Sequence, residues 1–135
     1  IRYSNDILSY QYTRPTMKRM LKQKYSNGYW IGLTSHVEFK CLSIFHFVPL
    51  VFVLAIIFSL LMIPITSLFI ILLSSIYFLF TIIITIMTII NNKFNFTILL
   101  MPIILFLIHV SYGVGTLVGL IKGFSWKKEY YSNSK

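Results

Sequence analysis

The sequence has few acidic residues, one cysteine and no charge along most of its middle. Only three of its 135 residues are Asp or Glu, against 12 Lys or Arg, and the single cysteine, Cys41, excludes an internal disulfide. It contains neither a D-x-D motif nor a phosphate-binding glycine loop. No charged residue lies between Lys40 and Lys93, or between Lys93 and Lys122. These absences argue against a disulfide-stabilised domain and a nucleotide-binding domain.

What the sequence does have is apolar side chains, which make up 57% of the residues. This fraction is typical of a chain that lives in a bilayer. Residues 41–92 would reach roughly 78 Å as one helix at ~1.5 Å per residue, more than twice the ~30 Å hydrocarbon core, so this run has to fold back. Pro64 is the predicted turn. We therefore expect an all-α integral membrane protein with spans at about 44–63, 66–90 and 96–121.

Three regions follow from this pattern: a connector over residues 1–43, a transmembrane region over 44–125 and a basic tail over 126–135. In the connector, Thr16 and Gly28 are typical start and stop residues, so the sequence predicts a helix over 16–27. Its basic residues favour the membrane surface, where they would meet anionic headgroups; docking on a preceding domain is the alternative. These residues are Lys18, Arg19, Lys22 and Lys24.

The third predicted span carries a histidine and a row of small residues. Ser111, Gly115, Gly119 and Gly123 are spaced by four, which predicts a ridge that lets the hairpin of the first two spans approach closely. His109 lies near the middle of this span. An ionisable group there is costly, so it is either a functional group near a lipid acceptor or a neutral imidazole hydrogen-bonded between helices.

Three stretches resemble the C-terminal membrane region of bacterial membrane-anchored family-2 glycosyltransferases of the GT-A type, similar to those of exopolysaccharide and succinoglycan biosynthesis. They are Y-x-R-P-T-x-K-x-x-x-K-Q-K-Y-x-N-G-Y-W, H-F-V-P-L-V-F-V and H-V-S-Y-G-V-G-T-L-V-G-L. In that family a GT-A domain precedes interface helices and membrane spans. We expect such a domain upstream of Ile1, carrying the catalytic residues and a bound Mg²⁺ or Mn²⁺; this chain itself has no predicted cofactor and would be inactive alone.

The resemblance also implies an acceptor. Processive relatives end the interface helix in Q-x-x-R-W; Gln23 matches the glutamine, but Ser26 and Asn27 replace the arginine and tryptophan. This departure implies transfer of a single sugar from a nucleotide sugar to a lipid-linked acceptor. The residues expected near the acceptor are Gln23, Trp30, His109 and Tyr112, with helix packing and an aromatic belt as the alternative for the first two.

The sequence does not favour a nucleic-acid partner or a metal site. Basic residues that flank apolar spans indicate lipid and not nucleic acid, and no metal site is predicted because His36, Cys41 and His46 lack a fourth ligand. The alternative function is a non-enzymatic small membrane protein that binds partner helices through its glycine ridge. Seven Lys or Arg precede the first span, so the N-terminal side is predicted to face the cytoplasm. The predicted location is the bacterial inner membrane. The side of the basic C-terminus stays open: the last span is either re-entrant or translocates its tail.

Overall fold

A computed structural model describes residues 16–91 and 95–133, with the side chains of 129–133 outside the description; residues 1–15, Lys93 and the last two residues of the predicted tail also lie outside it. Within these ranges the chain is helical and has no strand, which confirms the all-α prediction. Four α-helices form the fold: α1 (Met17–Thr34), α2 (Val48–Met62), α3 (Leu68–Asn91) and α4 (Met101–Asn133). Short 3-10 turns lie at Phe39–Cys41, Ile44–Phe47 and Phe96–Leu100.

Three segments of the described chain are long and apolar enough to cross a membrane: Ile44–Met62, Leu68–Asn91 and Phe96–Lys128. The chain is therefore a multi-pass membrane protein. Pro64 lies in the turn between the first two segments, as the sequence predicts. Proline ends a helix here because it has no backbone N–H to donate and disfavours helix at the preceding residue. Most apolar side chains of α2 and α3 face outward, as expected for helices solvated by lipid acyl chains.

The core lies where α4 meets α1 and α2. In α2 the buried residues are Leu50, Val53 and Ser59, whereas α3 buries only Thr81 among the described side chains. α4 is one continuous helix from Met101 to Asn133. Because this helix does not turn back, its glycine-rich half is not re-entrant.

The first helix is longer than the sequence predicts. Thr16 caps it, accepting a hydrogen bond from the backbone N–H of Arg19 (3.4 Å), but the helix continues through Gly28 to Thr34. The predicted end at residue 27 is wrong. A glycine that stops a helix usually adopts a positive φ, and no described glycine does so. Gly28 instead lies buried inside α1, where the missing side chain serves helix packing.

Candidate functional site

Helices α1 and α4 meet along a surface of glycines. We call Gly28 and Gly32 of α1, together with Gly115 and Gly119 of α4, the glycine seam; all four are buried. A methyl group added at Gly32 would lie 2.5 Å from the carbonyl oxygen of Thr116 and 2.6 Å from the backbone nitrogen of Leu120. The two backbones are therefore in direct contact, as in small-xxx-small helix pairs.

The contacts along the glycine seam advance toward the C-terminal end of both helices. Gly115 lies against the carbonyl of Tyr25, and Gly119 against that of Tyr29. One turn further, Gly123 lies under the ring of His36. Position numbers rise together on both helices, so α1 and α4 are parallel.

The partner of the predicted small-residue ridge is therefore not the hairpin. Gly115 and Gly119 contact α1, and the glycine that contacts α2 is Gly113, which was not part of the predicted ridge. Gly113 lies against the carbonyl of Pro49 and the side chain of Val53. Ser111 is half-buried, and no described hydrogen bond involves its hydroxyl.

His36 fastens the C-terminal end of α1 to α4. Its Nε2 donates to the carbonyl oxygen of Leu120 (2.9 Å), and its ring lies 4.6 Å from that of Phe124. Cys41, which has the same five-residue spacing from His36 and from His46, is exposed, and His46 accepts a hydrogen bond at Nδ1 from the backbone N–H of Ser43 (3.1 Å). No group of three potential metal ligands occurs among the described residues.

His109 faces the other side of α4, toward α2 and α3, inside a cluster of aromatic rings. The ring centroids of Phe52, Tyr77 and Phe80 lie 6.0, 5.9 and 6.4 Å from the imidazole. Phe52 stacks on Tyr77 at 4.6 Å, and Phe106 contacts both rings edge-on. We call these five residues the aromatic cluster. Such edge-to-face and offset pairs fix ring orientations more tightly than aliphatic packing does.

Two oxygen atoms lie within hydrogen-bond distance of the same nitrogen of His109. Its Nδ1 lies 2.8 Å from the carbonyl oxygen of Leu105 and 3.3 Å from the hydroxyl of Tyr77. Because a carbonyl can only accept, we assign the proton to Nδ1, which donates to Leu105. Nε2 then carries a lone pair, and the structure gives it no hydrogen-bond partner among the described residues. The Tyr77 hydroxyl keeps its own proton to donate.

A cavity of about 660 Å³ opens beside the aromatic cluster, between α2, α3 and the start of α4. Its walls are almost entirely apolar, formed by residues such as Ile56, Ile70 and Ile103. Tyr77 is part of the wall and links the cavity to His109. Ser74 and Ser75 also line it, but the Ser74 hydroxyl already donates to the carbonyl of Ile70 (2.7 Å). The volume is within the range of small-molecule sites.

The four residues predicted near an acceptor do not form one cluster. His109 contacts α2 and α3, whereas the carbonyl of Tyr112 lies at the seam and accepts a hydrogen bond from the Thr116 hydroxyl (3.0 Å). Trp30 is 54% exposed and meets Trp126 edge-on at 6.4 Å. Gln23 is half-buried on α1. No described hydrogen bond or ring contact joins Gln23 or Trp30 to His109.

The basic residues predicted to meet the membrane surface lie in the first two turns of α1. Lys18, Arg19 and Lys22 are exposed, and Lys24 is half-buried. They precede Tyr25, the first α1 residue whose backbone touches the seam. The cationic part of α1 and its packing part are therefore consecutive along the helix.

Sequence reasoning missed the residues that surround His109. Tyr77 is the one tyrosine between residues 44 and 111, which is a signal that a search for polar partners of His109 could have used. It also missed Gly28 and Gly32 as a packing pair. Their four-residue spacing equals that of Gly115 and Gly119, and this shared spacing was readable in the sequence.

No known protein family, curated protein or solved structure matches this chain.

Proposed function

We propose that this chain is the membrane-anchoring and acceptor-presenting part of a glycosyltransferase. That enzyme would transfer a sugar from a nucleotide sugar to a lipid-linked acceptor, in surface polysaccharide or glycolipid biosynthesis at the bacterial inner membrane, with the N-terminal side cytoplasmic. The sequence resemblance supports the reaction class. The observation that carries the acceptor role is the apolar cavity lined by Tyr77, whose hydroxyl lies 3.3 Å from Nδ1 of His109.

The cavity has the chemistry that a lipid-linked acceptor requires. An isoprenoid or acyl tail has no polar atoms, so it is compatible with walls such as Ile56, Ile70 and Ile103. A phosphate needs hydrogen-bond donors and tolerates a basic group. The Tyr77 hydroxyl donates a hydrogen bond, and the lone pair on Nε2 of His109 accepts one from a protonated phosphate oxygen. A tail in the cavity would therefore place its phosphate beside these two side chains.

Binding of a long-chain prenyl phosphate to the purified chain in detergent tests this role, with the matching prenol as a second probe. His109→Leu and Tyr77→Phe should each weaken prenyl phosphate binding about tenfold, because each removes a hydrogen-bonding group from the phosphate. Prenol affinity should change less than twofold. Equal losses for both probes would mean that the pair only supports packing, and the acceptor role would fail.

A second pair of variants tests the cavity. Ser74→Phe places a ring in the space where the tail would lie, so it should weaken both prenyl probes. Ile76→Phe is the matched control, because Ile76 lies on the same helix, is 59% exposed and does not line the cavity. If both variants bind like the unmodified chain, the tail does not occupy this cavity.

The alternative of a non-enzymatic membrane protein makes a different prediction. It needs a free glycine ridge, yet Gly115 and Gly119 are covered by α1 of the same chain. The reading frame that precedes Ile1 separates the two functions. An in-frame extension with a D-x-D motif would support the glycosyltransferase, whereas a start codon and ribosome site next to Ile1 would contradict it.

A further inference from the structure

Helices α1 and α4 have the same inclination to the bilayer. Tyr25 lies against Gly115 and Tyr29 against Gly119, so the two helices stay side by side from one turn to the next. A helix that packs in this way on a membrane-spanning helix cannot lie flat on the bilayer surface. α1 therefore stands upright beside the second half of α4.

The membrane segment that contains α4 is longer than the hydrocarbon core. It covers the 33 residues of Phe96–Lys128, which reach roughly 50 Å at ~1.5 Å per residue, whereas the core is ~30 Å thick. About 20 Å of this segment therefore has to lie outside the hydrocarbon. The part that projects is either the first half or the second half, which carries α1.

Three exposed cations of α1 mark a depth along α4. Lys18, Arg19 and Lys22 precede Tyr25 on α1. Because the two helices are parallel, the contacts of the glycine seam place these cations level with about residues 108–112 of α4. A Lys or Arg inside the hydrocarbon is costly, so this level has to be within reach of the headgroups.

The two halves of the α4 segment differ in charge. Residues 96–112 contain no charged residue and reach roughly 26 Å, close to the ~30 Å core. The second half contains Lys122 and packs on α1, whose exposed side chains include Lys22, Ser26 and Asn27. In hydrocarbon these polar groups would lose their hydrogen bonds to water. The charges therefore favour hydrocarbon around the first half and water around the second.

The start of α2 agrees with this level. The carbonyl of Pro49 lies against Gly113, so α2 begins beside the same turn of α4. The chain between α1 and α2 carries Glu38 and Lys40, both exposed. Charged residues thus give way to the apolar helix α2 at the depth that the α1 cations indicate.

We propose that one headgroup layer of the bilayer lies near residues 108–112 of α4. α1 and residues 113–128 of α4 then project from this layer as a pair of helices, which we call the stem. At the base of the stem, Lys18, Arg19 and Lys22 bind anionic lipid headgroups. The proposal goes beyond the acceptor role and does not depend on it.

The lysines at the other end of the stem are too far from this layer to take part. The nearest of them, Lys122, follows residue 112 by ten positions, which is roughly 15 Å along the helix. Attraction between exposed charges is largely screened beyond the Debye length of about 8–10 Å. The basic residues of the stem therefore form two groups, of which only the first binds headgroups. The second group consists of Lys122, Lys127 and Lys128.

The depth of the tryptophans tests the position of the stem. Trp30 and Trp126 both belong to the stem, and Trp126→Phe leaves Trp30 as the single reporter. Leu99→Trp, combined with Trp30→Phe and Trp126→Phe, reports the first half of the segment at a position that is 57% exposed. In vesicles of phosphatidylcholine with brominated acyl chains, Trp30 should be quenched less than about half as strongly as the Leu99→Trp reporter, because it lies outside the ~30 Å core. Acrylamide in the water should give the reverse order. Equal or stronger quenching of Trp30 by the brominated lipid would overturn the proposal.

The headgroup contact is tested by replacing each group of cations with Gln. Thermal unfolding of the full chain is followed by tryptophan fluorescence in nanodiscs of phosphatidylglycerol or phosphatidylcholine. Phosphatidylglycerol should give the higher unfolding midpoint, because it binds the native base of the stem. Replacing Lys18, Arg19 and Lys22 should remove at least about half of this difference. Replacing the second group, which removes the same charge, should remove much less.

Two results would overturn the headgroup contact: equal midpoints in the two lipids, or a loss from the second group that equals or exceeds that from the first. Neither the quenching nor the unfolding measurement involves sugar transfer or prenyl binding. Their failure is therefore distinguishable from failure of the proposed function.

Discussion

Replacing Gly32 by alanine should separate α1 from α4, although the change adds only one methyl group. That methyl would lie 2.5 Å from the Thr116 carbonyl oxygen, 2.6 Å from the Leu120 nitrogen and 2.7 Å from the carbonyl carbon of Gly119. All three are backbone atoms, so no side-chain rotation can relieve the overlap. Carbon contacts are most favourable at about 3.5–4.0 Å, which means that the helices must move apart by roughly 1 Å.

Two opposing effects set the size of the change. Overpacking of this kind typically costs ~1–3 kcal/mol, and a clash with three backbone atoms belongs at the upper end. Alanine also favours the helix over glycine by about 0.5–1 kcal/mol. We therefore expect the free energy of unfolding to fall by about 2 kcal/mol. The loss should be concentrated in the α1–α4 pair, because the three atoms nearest to the added methyl all belong to α4.

The assay can use intrinsic fluorescence, since the two tryptophans of the chain, Trp30 and Trp126, lie on α1 and α4 and contact each other. Unfolding in mixed micelles should show an earlier tryptophan transition for Gly32→Ala. Asn27→Ala is the matched control, because Asn27 is exposed on the same helix and gains helix propensity without a clash. The reasoning is refuted if Gly32→Ala unfolds within about 0.5 kcal/mol of Asn27→Ala.

Three further predictions concern other contacts. His36→Leu removes the hydrogen bond to Leu120 and should destabilise the α1–α4 pair by about 1 kcal/mol, measured by the same tryptophan transition; an unchanged transition would contradict the fastening role of His36. Replacing Lys18, Arg19 and Lys22 by Gln in a peptide over residues 10–35 should weaken its binding to anionic vesicles, most strongly at low salt, and unchanged partitioning would remove the surface interpretation. The chain alone should show no saturable binding of a UDP-sugar in calorimetry, since it has too few acids to hold a metal–diphosphate; saturable binding would disprove this.

The helical architecture was predictable because bilayer solvation leaves a strong local signal. Long uncharged runs and Pro64 indicate spans and a turn without knowledge of any contact, and the all-α prediction is confirmed. The end of α1 was predicted wrongly because it depends on a distant contact and not on a local signal. A glycine after an asparagine is locally a stop signal, but Gly28 has a partner more than eighty residues away. Only that distant backbone decides between the two roles.

The candidate site was also predictable only in part: His109 could be identified from the sequence, but its neighbours could not. His109 was identified because a titratable group within an apolar segment is unusual whatever surrounds it. Its neighbours could not be derived from spacing within one helix, since Phe52 and Tyr77 come from two other helices. Thr116, which lies seven residues after His109 on α4, is fully buried against α1 and not beside the imidazole. The direction in which each neighbouring helix crosses α4 determines these contacts.

The unbroken course of α4 has a mechanical consequence. One face of this helix carries Gly115 and Gly119, and another face of the same rod carries His109 about two turns away. In the glycine seam the two backbones touch directly, with no flexible side chains between them. A displacement of α1 therefore moves α4 as a rigid body, by translation or rotation. The imidazole would then move relative to the hydroxyl of Tyr77, a residue that lines the cavity. Movements of a domain attached ahead of α1 would therefore be transmitted through the α1–α4 pair to His109 inside the membrane.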